Sequence, residues 1–214
     1  MYAQEQIKPY KGNAHKREQV ELLFDNIAPT YDTLNHTLSF GFDRCWRRRA
    51  VRTLASCKPQ TVLDVATGTG DFALLIARRL RLRRVTAVDI SEGMMRVGRD
   101  KAAREGLHDV VRFQKEDCCN LSFEDGSFDL VLNPPSLFYV PDVMPVFREV
   151  YRVLKKGGSF IMCSFSPIAY VCEYDQTLDC YKAVNRMPYC SADHDDQGDW
   201  VEFGHTMESY LGGQ

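Results

Sequence analysis

The chain has 214 residues, 44% of them hydrophobic, with a formal net charge of −2. That suits one domain with a real core, and it excludes a global field favouring nucleic acid or an anionic membrane. No apolar run approaches the ~20 residues that cross a bilayer, and the first twelve residues read as neither a signal nor a transit peptide; the eight scattered cysteines read as reduced thiols of a cytosolic protein.

In chain order, His15 to Ile27 reads as a helix with Val20, Leu23, Phe24 and Ile27 on one face, broken by Pro29 and Asp32. Asp43 caps a second helix over 44–57. An alternation follows: strand 61–65, helix 71–81, strand 84–89, helix 92–105, strands 110–114 and 128–133, helix 142–155 and strand 158–164. Such alternation means a parallel sheet with helices on both faces. Asp142 starts the last of these helices, Pro145 sits in its first turn, and Gly157-Gly158 ends it. Beyond Phe165 the pattern weakens; 168–181 is expected to be helical and 185–199 to be loop. The arginines at 47–49 and 52, and those at 78–79 and 83–84, could bind phosphates, but solvated helix faces are the preferred reading. No amphipathic stretch stands out as a membrane anchor.

The most informative stretch is Val62-Leu63-Asp64-Val65-Ala66-Thr67-Gly68-Thr69-Gly70-Asp71. An apolar strand stops at a glycine-rich turn and a helix follows at once. Gly68 and Gly70 let the backbone approach a ligand, and the helix N-terminus offers free N–H groups beside it. Nineteen residues after Gly70, Asp89 ends a second apolar run, where a carboxylate can accept hydrogen bonds from a ribose. The spacing Asp64-x-Ala66-x-Gly68-x-Gly70 is not the dinucleotide fingerprint. It resembles the first motif of class I S-adenosylmethionine methyltransferases, whose cofactor carries an ammonium group that Asp64 and Asp71 would suit. Val110 to Phe113 followed by Glu116-Asp117-Cys118 agrees, since that class places there an acidic acceptor for the adenine amino group.

A closer resemblance covers residues 1–132. The phrases Phe24-Asp25-Asn26-Ile27-Ala28-Pro29-x-Tyr31-Asp32-x-x-Asn35, Leu38-Ser39-x-Gly41-x-Asp43-x-x-Trp46-Arg47 and Asp89-Ile90-Ser91-Glu92-Gly93-Met94-Met95 are similar to the quinone C-methyltransferases of menaquinone and ubiquinone synthesis, nearest the bacterial demethylmenaquinone enzymes. The resemblance implies a Rossmann-like α/β sheet with an N-terminal helical cap over 1–57, a cofactor-binding core over 58–165 and an irregular segment over 166–214, the last strands of the class being missing. It implies S-adenosylmethionine as cofactor, held by Asp64, Gly68, Thr69, Gly70, Asp89, Asp117, Cys118 and Asn133. The cap would put Tyr31, Asp32, His36 and Arg47 near the acceptor as candidate catalytic residues.

The match departs after the fourth strand. The family places an Arg-Asn pair there, facing the quinol; this chain reads Asn133-Pro134-Pro135-Ser136-Leu137-Phe138-Tyr139. Residues 136–214 resemble another group of small-molecule class I methyltransferases. Methylating a quinol carbon needs electron density there, which a base or cation near the oxygen supplies, so Arg47 or His36 is expected to replace the lost pair. The leading expectation is methylation of demethylmenaquinol. A different small-molecule acceptor and a non-catalytic cofactor-binding remnant are the alternatives. The implied partner is a prenylated quinol, with a transient membrane-surface contact from the cytoplasmic side of the inner membrane and a homodimer as further implications. Nucleic acid is not expected, and Cys172, Cys180, Cys190, His194 and His205 match no zinc spacing, so no metal is expected.

Overall fold

The computed structural model describes Tyr10, residues 15–163, and the segments 172–175 and 180–183. Two helices come first, α1 (Lys16–Leu38) and α2 (Phe42–Leu54), followed by a short 3-10 turn over Ala55–Cys57. Then β1 (Thr61–Val65), α3 (Asp71–Arg79), β2 (Arg84–Asp89), α4 (Glu92–Arg104), β3 (Val111–Lys115), β4 (Phe128–Asn133), α5 (Met144–Val153) and β5 (Leu154–Met162) build the core. The five strands form one parallel sheet in the order β3-β2-β1-β4-β5. Reversal of strand direction of growth at β1 leaves a crevice above the carboxyl ends of β1 and β4, the usual ligand position in such sheets.

The sheet is buried on both faces because successive side chains alternate across it. Leu63, Val65 and Val131 face Val146, Val150 and Val153 of α5. Val62, Val85 and Leu130 face Leu74 and Ile76 of α3, with Val51 and Leu54 of α2 joining that layer. Helix starts follow local chemistry. Ser91 caps α4 by accepting from the Met94 N–H at 3.1 Å, and Asp142 accepts from the Met144 N–H at 2.9 Å just before α5.

Four expectations are corrected. Pro29 does not break α1 but lies inside it. A proline there removes one backbone bond, and tertiary bonds from Asp25 and Asp32, on either side of it, hold the helix together. Asp43 is not the cap of α2; Gly41 stands at that position, and Asp43 lies in the first turn with its carboxylate turned to Ser39, His36 and Arg47. Gly157-Gly158 does not end α5. The helix stops at Val153 and β5 starts at once. Phe128 pairs with Leu154 but Leu130 with Ser159, so extra residues bulge out of β5, where Gly157 takes the left-handed φ of 80°. Finally, β6 (Cys172–Asp175) and β7 (Cys180–Ala183) form an antiparallel pair where a helix was expected. Among the described residues no further strand joins the five-stranded sheet. The loop expected at 185–199 lies outside the described residues. No helix among the described residues is long and apolar enough to cross a membrane.

Candidate functional site

β1 ends at Val65 and the chain turns through 66–70 into α3. Ala66 takes φ 57°, a left-handed conformation that costs an L-residue about 1–2 kcal/mol. The turn is closed by the Thr67 N–H donating to the Val88 carbonyl at 2.9 Å and the Gly70 N–H donating to the Thr67 carbonyl at 3.0 Å. Gly70 has φ 76°, and a Cβ there would lie 2.6 Å from the Phe113 ring, so only glycine fits.

Two carboxylates brace this loop from beneath. Asp89, at the end of β2, accepts from the Gly68 N–H at 2.8 Å and the Ser91 N–H at 2.9 Å. Asp64 is fully buried. Its Oδ2 accepts from the Thr67 hydroxyl at 2.7 Å, and its Oδ1 has no hydrogen-bond partner. Burial pushes the Asp64 carboxyl up to about 7; the Thr67 hydroxyl and, more weakly, the Ala73 N–H at the start of α3 oppose this, and the neighbouring Asp89 charge adds to it. Burial raises Asp89 as well, against the amides of Ser91 and Gly68.

Above the strand ends lies a cavity of about 1090 Å³. That is at the upper end of small-molecule sites, which run to about 1,000 Å³. One end is polar: Gly68, Asp89, Glu116, Asp117 and Cys118 line it. Arg17 of α1 pairs with Asp117 at 2.6 Å, and Asp117 also accepts from the Cys119 N–H at 2.9 Å. A hydrogen bond with Cys119, together with burial, pushes the Cys118 thiol up. The other end is apolar. Val20, Leu23, Phe24 and Ile27 of α1 form its roof, and Phe138 and Tyr139 its far wall. Phe24 and Tyr139 meet edge to face at 5.2 Å and join roof to wall.

The structure divides the expected site residues in two. Gly68, Asp89, Asp117, Cys118 and Tyr31 line the cavity. Asp64, Thr69, Gly70 and Asn133 stand behind it: Asn133 reaches the Val65 carbonyl at 3.4 Å and the Ser136 hydroxyl at 3.1 Å, which holds the ends of β1 and β4 together. Asp32, His36 and Arg47 are not among the lining residues and belong to an ion-pair network. Lys101 of α4 donates to Asp32 at 2.8 Å, to Asp71 at 2.5 Å and to the Thr69 hydroxyl at 3.1 Å, while Thr69 donates to Asp32 at 2.5 Å. Arg47 lies 3.0 Å from Asp71 and also pairs with Asp43, which His36 contacts at 2.7 Å. The ligand atoms of His36, Asp43 and Asp71 lie close enough to hold a cation; Arg47 and Lys101 already supply the positive charge there.

Asp25 and Ser91 stand in the family phrases without an assigned role, and Lys101 in none of them, yet all three hold the cap. Asp25 accepts from the Ser91 hydroxyl at 2.6 Å and the Gly93 N–H at 2.8 Å, a second fastening of α1 to α4. Asp25 and Asp32 are two helical turns apart on one face, which is a signal; Lys101 gives none, because its partners are far away in sequence.

A family model described as the ubiE/COQ5 methyltransferase family matches residues 12–201. The chain is 50% identical over 161 residues to the demethylmenaquinone methyltransferase of Bacteroides fragilis, 75% of this chain and 66% of that protein. It is 42% identical over 172 residues to the demethylmenaquinone methyltransferase of Porphyromonas gingivalis, covering 79% of this chain and 70% of that one. The chain thus spans just under two thirds of the length of the Bacteroides relative. Among solved structures it is similar to the [4+2]-cyclase SpnF, with a TM-score of 0.58 and 25% identity over 67% of this chain and 58% of that one. A neighbour named for cyclisation shows that this fold by itself fixes no reaction.

Proposed function

Because the chain belongs to the ubiE/COQ5 methyltransferase family, we propose that it is an S-adenosylmethionine-dependent C-methyltransferase that converts demethylmenaquinol to menaquinol. The observation that supports this best is the division of one cavity into a carboxylate-lined end over the glycine loop and an apolar end under α1. The cofactor supplies a methyl group already activated by its sulfonium charge.

The residues present fit that cofactor. Asp89 spends one bond per oxygen on the loop amides, and a carboxylate has about four acceptor positions, so ribose hydroxyls can still be accepted. Asp117 and Cys118, one strand over, take the adenine edge, and Gly68 lets the backbone approach. Asp64 carries an orphaned oxygen beneath the same loop; a cationic ligand above it would favour the ionised carboxylate. Thr69, Gly70 and Asn133 hold the loop's shape. Tyr31 is the acceptor-side residue that reaches the cavity, and its hydroxyl orients a quinol oxygen. Asp32, His36 and Arg47 fasten the cap instead of meeting substrate. The ring carbon that would gain the methyl group would give up its proton to solvent on the open side of the cavity, and the apolar roof of α1 limits the water that reaches it.

In this reading residues 1–57 are the cap, 58–165 the cofactor core and 166–214 a C-terminal segment. The acceptor is a prenylated quinol, so the protein works from the cytoplasm with a peripheral visit to the membrane, as a monomer or a homodimer. A second reading, another small aromatic acceptor, is favoured by one observation: the expected Arg-Asn pair is replaced by Phe138 and Tyr139 on the cavity wall.

Calorimetric titration with S-adenosylhomocysteine tests the cofactor half. Micromolar binding is expected, weakened at least about tenfold by Asp89→Ala; a folded chain that does not bind would refute the enzyme reading. Turnover of a short-tailed demethylmenaquinol against a panel of other phenols then separates the two acceptors.

A further inference from the structure

The turn between α1 and α2 exposes what a water-soluble surface normally hides. Leu38 is 76% exposed, Phe40 90%, Phe42 61% and Trp46 67%. Leu34 and Leu38 are one turn apart at the end of α1, Phe42 and Trp46 one turn apart at the start of α2, and Phe40 lies in the turn between them, so the five side chains share one elbow. Phe40 also adopts a left-handed φ of 48°. A phenyl ring held in a costly backbone conformation and left in water contributes nothing to folding. It contributes once the surrounding medium is apolar.

The charge around the elbow says which medium. Arg44, Arg48, Arg49, Arg52 and Lys58 are exposed, and the one acidic residue of that stretch, Asp43, is tied to His36 and Arg47. In a chain of net charge −2 this is a cationic island. A hollow of about 160 Å³ lies beside it, lined by Arg48, Arg52 and Arg79 among its six residues. Tryptophan and phenylalanine next to clustered arginine are the chemistry of a membrane interface.

We propose that the elbow of Leu38, Phe40, Phe42 and Trp46 docks on an anionic lipid bilayer, with Arg44, Arg48, Arg49 and Arg52 seated among the headgroups. The proposal rests on the reading above only in that the acceptor is bilayer-borne; the elbow's own exposure and charge supply the place. Docked in this way, Leu34 and Leu38 would continue toward the lipid the α1 face that Ile27 and Tyr31 present to the cavity.

Trp46 reports on this directly. In a Trp200→Phe background it is the remaining tryptophan of two. With vesicles of phosphatidylglycerol and phosphatidylcholine its emission should shift to the blue and be quenched by brominated acyl chains. Cosedimentation should fall at least about tenfold with Phe40→Ser/Phe42→Ser, with Arg48→Glu/Arg52→Glu, or when phosphatidylglycerol is omitted. Absence of bromine quenching, or sedimentation as a dimer that both variants dissolve, would overturn the proposal; the dimer would mean that a second copy covers the elbow. Neither the S-adenosylhomocysteine titration nor turnover of a detergent-dispersed acceptor involves vesicles, so failure there would strike the proposed function and leave the docking surface standing.

Discussion

Asp64 allows a worked test of the loop's electrostatics. In the folded chain its carboxyl is pushed from 3.8 to about 7. The native state therefore holds that proton more tightly than the unfolded chain by on the order of 4 kcal/mol. Between about pH 4 and pH 7 the native state keeps a proton that the unfolded state has released, so stability falls as pH rises, and the full cost stands above pH 7. Asp64→Asn keeps an acceptor for the Thr67 hydroxyl and cannot ionise. Urea unfolding at about pH 5 and about pH 8 would show the wild type losing midpoint by about 1–2 M more than the variant, for an m-value on the order of 2 kcal/mol/M. Asp43, Asp129 and Glu149 are held below the usual carboxylate range and titrate at more acid pH, so they cancel in the comparison; Asp89, raised in both proteins, loses in the variant only the repulsion from Asp64. Equal pH slopes in the two proteins would refute the claim that an unpaired charge is buried there. A saturating cationic ligand should flatten the wild-type slope as well.

Three further outcomes follow from geometry. Gly70→Ala puts a Cβ against the Phe113 ring at a left-handed φ, and should cost at least about 2 kcal/mol in denaturant unfolding; a neutral result would mean that the loop relaxes freely. Ala66→Gly removes the strain at φ 57° and should raise the melting temperature by about 2–4 °C, offset in part by unfolded-state entropy; a fall would show that the methyl group packs usefully. Lys101→Met leaves Asp32 without a cation, while Asp71 keeps Arg47. It should destabilise by about 2–4 kcal/mol, with a coupling of about 1 kcal/mol or more to Asp32→Asn in a double-mutant cycle; simple additivity would dissolve the network.

The sheet and the glycine loop were legible because they are local: an apolar run, a turn and a helix declare themselves within about ten residues. Asp89 was placed by the same logic, as the last residue of a run. Pro29 misled because its cost is local and the bonds from Asp25 and Asp32 that offset it are not. Asp32, His36 and Arg47 are expected near the acceptor because they lie in the cap; that Lys101 and Asp71 pair with them is visible only in the fold. The start of β5 at Leu154 was hidden by two glycines that normally end helices. Phe42 and Trp46, spaced as a helix core stripe, gave no hint that the core lies on the other side.

The paired fastenings of α1 have a mechanical meaning. Asp25 binds at the start of α4 and Asp32 binds Lys101 near its end. Seven residues of α1 span about 10.5 Å and the eight from Gly93 to Lys101 about 12 Å, so the two helices run side by side in the same sense with matched rungs. Tilting α1 away from α4 would break both rungs at once. Widening of the cavity is therefore expected at residues 136–141, where the Phe24–Tyr139 ring contact joins the roof to the opposite wall, and not between α1 and α4.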